Sequence, residues 1–278
     1  MKGIIIKNIS NDYLVEANKK EYLCKPRGKL KLEKVAPLVG DKVIIDEKKK
    51  VINEIEKRKN ELIRPAVANI DYAIIVTSVK EPDFDTILLD KLLTIVSYNN
   101  IEPIIYLTKL DLLNNTEKIN IQKYSDYYQK IGYIVITNPK DLINIINNKT
   151  VVFAGQSGAG KSTLLNKIDK NLKLKTNEIS KALGRGKHTT RHTQLYRINN
   201  ALLVDTPGFS KIDFIGMKRI DIRDNMKEMF DNLEHCKYRD CMHNNEDGCY
   251  IKKLFQEKKI LESRYNNYLS FIRGIKND

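Results

Sequence analysis

The chain has 278 residues, 41% of them hydrophobic and 30% charged, with 49 Lys plus Arg against 35 Asp plus Glu. That length suffices for two or three domains with a sizeable core, and the absence of any apolar run of about 18 residues argues against a membrane-spanning helix. The formal charge of +14 points to a polyanionic partner such as nucleic acid.

The opening stretch, "MKGIIIKNISNDYLVE", lacks the long apolar region and small-residue cleavage site of a secretory leader, so a cytoplasmic location and no membrane partner are expected. Residues 1–62 hold the short β-like runs "GIIIKNI", "DYLVEA", "EYLCKP", "DKVIID" and "VINEIEK", separated by turn residues. Five such strands in so short a span predict a small closed barrel of the OB type. Over residues 63–222 the texture changes. Apolar runs such as "YAIIVTSV", "EPIIYLTK", "GYIVIT", "TVVFAGQ" and "ALLVDTPG" alternate with helical stretches, among them 85–99 and 117–131. Doubly buried strands alternating with helices predict a parallel α/β sheet. Residues 223–278 are predicted to be helical, interrupted by a Cys/His cluster. The expected fold class is therefore multidomain α/β: a barrel, a nucleotide-binding domain and a helical metal-binding domain.

"VVFAGQSGAGKSTLLNKI" reads as strand, loop, helix. Gly155, Gln156, Ser157, Gly158, Ala159, Gly160, Lys161, Ser162 and Thr163 carry the G-x4-G-K-S spacing of a phosphate loop. Its glycines let backbone N–H groups turn inward around an oxyanion, and the following helix adds its positive end. Lys161 is expected at the β- and γ-phosphates and Ser162 on Mg²⁺. Downstream, "ALLVDTPGF" puts Asp205 at a strand end, where it can hold the metal through water, and Gly208 where its N–H can reach the γ-phosphate. In "GRGKHTTRHTQL", Thr190, with Thr189 as the alternative, can complete the Mg²⁺ shell.

"TKLD" spans Thr108, Lys109, Leu110 and Asp111 after the strand "PIIYL". The Asp111 carboxylate can accept from guanine N1–H and N2–H₂ together, a pair adenine does not offer, with Lys109 lying over the base. The loop at Thr137 and Asn138 is a candidate for a second base contact through backbone N–H. The base motif thus precedes the phosphate loop, the reverse of the order in small GTPases. A sheet can be cut at one loop and rejoined elsewhere while each strand keeps its neighbours, so the order predicts a circular permutation. Finally, "CKYRDCMHNNEDGC" supplies Cys236, Cys241, His243 and Cys249, three thiolates and an imidazole that suit a closed tetrahedral Zn²⁺ site. Cys24 is expected to be a small buried residue of the barrel.

In order, "PRGKL", "PLVGD", "RPAVANID", "TKLDL", "GQSGAGKSTLLN", "GRGKHTT", "DTPGF" and the Cys/His cluster run over nearly the whole chain. Together they resemble the circularly permuted GTPases of small ribosomal subunit biogenesis, the RsgA/YjeQ family. The resemblance implies an OB domain at 1–62, a permuted GTPase domain at 63–222 and a structural zinc domain at 223–278. It implies a monomeric GTP hydrolase that works in late maturation of the small subunit, contacts its 16S rRNA and is stimulated by it. Phe209 stands where many GTPases carry a water-positioning Gln, and the family's pattern suggests His188 for that task. One departure is Thr108, where the family more often has Asn.

Overall fold

The computed structural model describes residues 1–28, 30, 36–63, 66–169, 194–204 and 213–275. Strands β1 (Lys2–Ile9), β2 (Asp12–Ala17), β3 (Lys20–Pro26), β4 (Lys42–Asp46) and β5 (Val51–Ile55) close a barrel in the order β1-β2-β3-β5-β4. Alternation makes the barrel: Ile5, Val15, Cys24, Val43 and Ile52 are wholly buried and their chain neighbours are half-buried or exposed, except at Ile6, which is also buried where the register with β2 shifts between Ile5 and Lys7. The pairing places Ile5 opposite Val15 and Tyr13 opposite Cys24. Antiparallel Gly3–Val43 and parallel Lys25–Val51 pairs complete the closure, so no sheet edge is left open.

Next come the hairpin strands β6 (Glu61–Ile63) and β7 (Ala66–Ala68). Strands β8 (Tyr72–Ser78), β9 (Glu102–Thr108), β10 (Ile134–Ile136), β11 (Thr150–Ala154), β12 (Leu195–Ile198) and β13 (Ala201–Val204) take the order β10-β9-β8-β11-β13-β12. The β9–β10 and β11–β13 pairs are parallel, and β12 returns antiparallel to β13. In β8 and β9 the central residues are buried on both faces, as a sheet covered on both sides requires. The helices are α1 (Thr86–Tyr98), α2 (Asn115–Lys130), α3 (Pro139–Ile146), α4 (Lys161–Ile168), α5 (Arg219–Asp224), α6 (Lys227–Asp231), α7 (Tyr250–Gln256) and α8 (Glu262–Gly274). The predicted helices at 85–99 and 117–131 are α1 and α2. Asp85 caps α1 by accepting from Leu88 N–H, and Asn114 with Glu117 forms a reciprocal capping box on α2.

The chain divides into two compact units: Met1–Ala73, Asn138–Phe153 and Lys161–Phe209 form one, and Ile74–Thr137, Ala154–Gly160 and Ser210–Asp278 form the other. In the first unit, Asp41 is fully buried at the foot of the barrel. Arg58 meets both its oxygens at 2.8 and 2.9 Å, and Leu38 N–H adds a third bond at 2.7 Å. Asn60 exchanges two hydrogen bonds of 2.8 Å with the backbone of Ile70, which fixes the chain entering β8.

In the second unit, a buried ion cluster fastens α8. Arg264 is wholly buried and donates to Asp90 on α1 at 2.7 Å and to both oxygens of Glu228 on α6 at 2.7 and 3.1 Å. Tyr128 and Asn267 add bonds to Asp90 at 2.6 and 2.7 Å, and Tyr127 adds one to Glu228 at 2.9 Å. Burial pushes the Asp90 carboxyl above the usual carboxylate range, against the pull of Arg264. Burial also pushes Glu228 upward, but the Arg264 charge and its paired hydrogen bonds outweigh it and leave Glu228 below its ordinary value.

Candidate nucleotide and zinc sites

β11 ends at Ala154 and the chain turns through residues 155–160 into α4. The turn needs glycine at its start. Gly155 has φ +127°, and a Cβ there would sit 2.1 Å from the Val76 carbonyl oxygen of β8. Gln156 is half-buried, Ser157 and Gly158 are exposed, and Ala159 is buried. At the head of α4, Lys161 is half-buried, Ser162 buried and Thr163 exposed. Burial lowers the Lys161 ammonium from its ordinary value, a cost that a bound polyanion would offset.

The end of β9 meets this loop. The Thr108 hydroxyl donates to the Ala159 carbonyl at 2.7 Å, and the Thr77 carbonyl lies 3.4 Å from the same oxygen. Thr108 therefore ties the base motif to the phosphate loop with a short hydroxyl, worth about 1 kcal/mol as a single hydrogen bond. Lys109 takes a left-handed conformation, φ 62°, and its ammonium donates to the Glu81 carbonyl. Leu110 and Asp111 lie in a single 3₁₀ turn, with Asp111 exposed. At the second expected base loop, the Thr137 carbonyl accepts from the Tyr106 hydroxyl at 3.1 Å, and the Asn138 side chain accepts from Lys140 N–H at 2.9 Å to cap α3. Thr189, Thr190, His188, Asp205, Gly208 and Phe209 lie outside the described residues.

The sulfurs of Cys236, Cys241 and Cys249 and the ring nitrogen of His243 all lie within 4.8 Å of one another. His243 Nδ1 is 3.6 Å from Cys236 Sγ and 3.5 Å from Cys249 Sγ, close to the roughly 3.5 Å edge of a tetrahedron with ordinary Zn–S and Zn–N bonds. The other ring nitrogen, Nε2, donates to the Met229 carbonyl at 2.9 Å, which leaves the Nδ1 lone pair facing the sulfurs. Burial, with the neighbouring thiols, pushes the Cys241 thiol up to about 12, so thiolates here call for a cation. The donor set thus fits Zn²⁺. The loop itself is braced: Glu246 accepts from the N–H groups of Met242 and Asn244 at 2.7 and 2.8 Å, and Tyr265 and Tyr268 of α8 donate to the carbonyls of His243 and Met242 at 2.8 and 2.6 Å. Gly248 has φ +67°, and a Cβ there would come within 2.9 Å of the Lys237 Cβ.

Sequence reasoning missed Glu81, Arg264 and the two bracing tyrosines. Glu81 acts through a backbone carbonyl, which any residue carries, so no sequence signal marks it. Arg264 sits in an amphipathic helix pattern where a charged residue reads as solvent-facing.

Comparison with known proteins agrees with this geometry. Residues 55–215 match the model of the RsgA GTPase family, and residues 2–52 match that of the RsgA N-terminal domain. The small ribosomal subunit biogenesis GTPase RsgA 2 of Oceanobacillus iheyensis is 45% identical over 99% of this chain and 97% of its own length. The crystal structure of YloQ, a circularly permuted GTPase, superposes with a TM-score of 0.82 at 35% identity, covering 98% of this chain and 93% of that one. The crystal structure of YjeQ from Thermotoga maritima gives a TM-score of 0.83 at 30% identity, covering 99% of each chain. With the base motif tied to the phosphate loop from upstream in the chain, and the family matched over most of its length, the chain belongs to the RsgA GTPase family and is a circularly permuted, GTP-hydrolysing P-loop GTPase.

Proposed function

We propose that this GTPase acts in late maturation of the small ribosomal subunit in the cytoplasm, as a monomer. In this reading it binds the subunit through 16S rRNA and hydrolyses GTP faster when bound. The observation that carries the reading is the Thr108–Ala159 bond, which joins the base motif to the phosphate loop. The names of its relatives, such as the small ribosomal subunit biogenesis GTPase of Oceanobacillus iheyensis, supply the partner. The charge of +14 and the small barrel are what an rRNA ligand asks for. The working division is an rRNA-binding barrel at 1–62, the GTPase domain at 63–222 and the zinc domain at 223–278.

Within the site, the N–H groups of residues 155–160 and the Lys161 ammonium hold the phosphates, with Thr163 beside them, and Gly208 takes the γ-phosphate. Asp111 reads guanine, and Lys109 with Leu110 shapes the base pocket. Ser162 and Thr190 would hold Mg²⁺, with Asp205 acting through water. Mg²⁺ would neutralise charge on the β- and γ-oxygens. His188 orients the attacking water, a task that the phenyl ring of Phe209 has no hydrogen-bonding group to perform. Cys236, Cys241, His243 and Cys249 hold a structural Zn²⁺.

The test is single-turnover GTP hydrolysis with and without purified small subunits. A rate that rises severalfold with subunits supports the reading, and equal rates overturn it.

A further inference from the structure

The segment between β8 and α1 is bonded to both ends of the base-reading stretch. Ser78 Oγ donates to the Lys80 carbonyl at 2.7 Å, and Val79 N–H donates to the Thr108 carbonyl at 3.2 Å. The Lys80 ammonium then reaches both oxygens of Glu117 at 3.0 Å each. Glu117 is already committed to the first turn of α2, where its carboxylate accepts from Asn114 N–H at 2.8 Å. One residue on, Glu81 stands at φ 56°, a left-handed conformation that a non-glycine residue keeps only where its surroundings impose it. Its carbonyl accepts the Lys109 ammonium. Pro82 Cδ lies 3.6 Å from where a Cβ on Gly158 of the phosphate loop would stand. Phe84 packs edge-on against Tyr124 of α2, with centroids 5.0 Å apart.

Residues 109–117 are therefore held at two points by the adjacent pair Lys80–Glu81. Lys109 is fixed at its left-handed backbone and again at its ammonium, so its aliphatic stem is spread between two anchors. An ammonium free in solution would sample many rotamers, and ordering them on nucleotide binding costs free energy. An ammonium already placed has paid that cost in folding.

We propose that residues 78–85 form a positioning strap for the nucleotide: the Glu81 carbonyl sets Lys109 as a shelf for the face of the base, and the Lys80–Glu117 pair holds Glu81 in place. The inference rests on the reading that Lys109 and Asp111 flank a bound purine. A shelf touches the ring face, so it serves guanine and hypoxanthine alike, whereas Asp111 distinguishes them through the exocyclic amine. Lys80 and Glu81 are positioning residues, acting through Lys109.

The experiment is calorimetric titration of the full-length protein with GDP and with inosine diphosphate. Lys80→Met is expected to weaken both nucleotides by the same factor, about three- to fivefold, the reach of a partly exposed ion pair. Lys80→Arg is expected to restore wild-type affinity. In a Lys109→Met background, Lys80→Met is expected to add nothing, because the group it positions is gone. A Lys80→Met protein with wild-type affinity for both nucleotides overturns the strap, and so does an effect fully additive with Lys109→Met, which would mark a general loss of structure. Asp111→Asn, titrated alongside, reports on the base reading itself. Unchanged GDP affinity there removes the reading and the inference together, while a loss there beside a silent Lys80→Met removes the strap alone.

Discussion

Helix α8 is fastened in two ways. Arg264 and Asn267 reach Asp90 and Glu228 in the ion cluster, while Tyr265 and Tyr268 reach the carbonyls of the zinc loop. Both pairs are spaced i, i+3, one residue out of step, so adjacent stripes of one helix serve different regions. The two regions solve the same problem of buried charge with opposite economies of sequence. The four residues that fit a zinc site fall within residues 236–249, and their thiolates would need a cation from outside. The cluster supplies its own cation, Arg264, but its partners stand 174 residues away at Asp90 and 36 away at Glu228. A local site depends on an imported ion, and a distributed one depends on the whole unit being folded.

That contrast can be broken from either end, and the zinc end is expected to give the largest effect. Structural zinc contributes about 10–16 kcal/mol in isolated zinc-finger peptides. Cys241→Ser should therefore abolish stoichiometric zinc by elemental analysis and open the segment from residue 236 onward to proteolysis, with GDP binding retained. Full-strength protease resistance in a zinc-free Cys241→Ser protein would place the stability of this region in the ion cluster instead.

Arg264→Met attacks the other fastening. It leaves two buried carboxylates without their cation, at a cost of about 3–5 kcal/mol. Urea unfolding should show the lowered midpoint, with zinc content unchanged. Arg264→Lys should rescue little, since one ammonium does not reproduce the fork that spans Asp90 and both oxygens of Glu228.

The base motif sharpens the comparison, because it is local like the Cys/His loop but its proposed partner is the nucleotide. Asp111→Asn should weaken GTP binding by about 2–3 kcal/mol, the loss of a charge-assisted bidentate pair. Xanthosine triphosphate should gain in its place, since an amide donor and acceptor match xanthine. Competition titrations with GTP, ATP and xanthosine triphosphate measure it. Retained GTP affinity would reduce "TKLD" to a turn.

The smallest effects come from titrating the cluster. Glu228 lies below its ordinary value, so its contribution is present above that value and fades as pH falls through the lowered one. Glu228→Gln should then cost most at neutral pH and progressively less in acid. Asp90 is raised, so its contribution is full below its ordinary value and lost as pH rises through the folded one. Asp90→Asn, which cannot ionise, should therefore be milder than Glu228→Gln at neutral pH. Unfolding curves collected across pH test the order, and a harsher Asp90→Asn would reverse the assignment.

Much of this protein is written in contiguous residues. Alternation along five short runs makes a closed barrel, because inward and outward positions are fixed by the period of a strand. The phosphate loop is legible because a tight turn around an oxyanion needs glycines at set spacing, as the φ of +127° at Gly155 illustrates. The Cys/His cluster is legible because a set of candidate metal ligands can be gathered within the reach of a short loop. The order of the base and phosphate motifs alone foretold the permutation, with the cut chain keeping its strand neighbours.

Tertiary structure decided the rest. The sequence offers Thr108 only as a departure from Asn; folding gives its hydroxyl the Ala159 carbonyl. Folding likewise brings the Glu81 carbonyl to Lys109, although a backbone carbonyl carries no residue-specific signal. Arg264, a cation on an amphipathic helix, is wholly buried because α1 and α6 bring carboxylates to it. Periodicity and covalent reach determine what neighbours in the chain can do, while a buried charge is tolerable only with partners that packing supplies from far away.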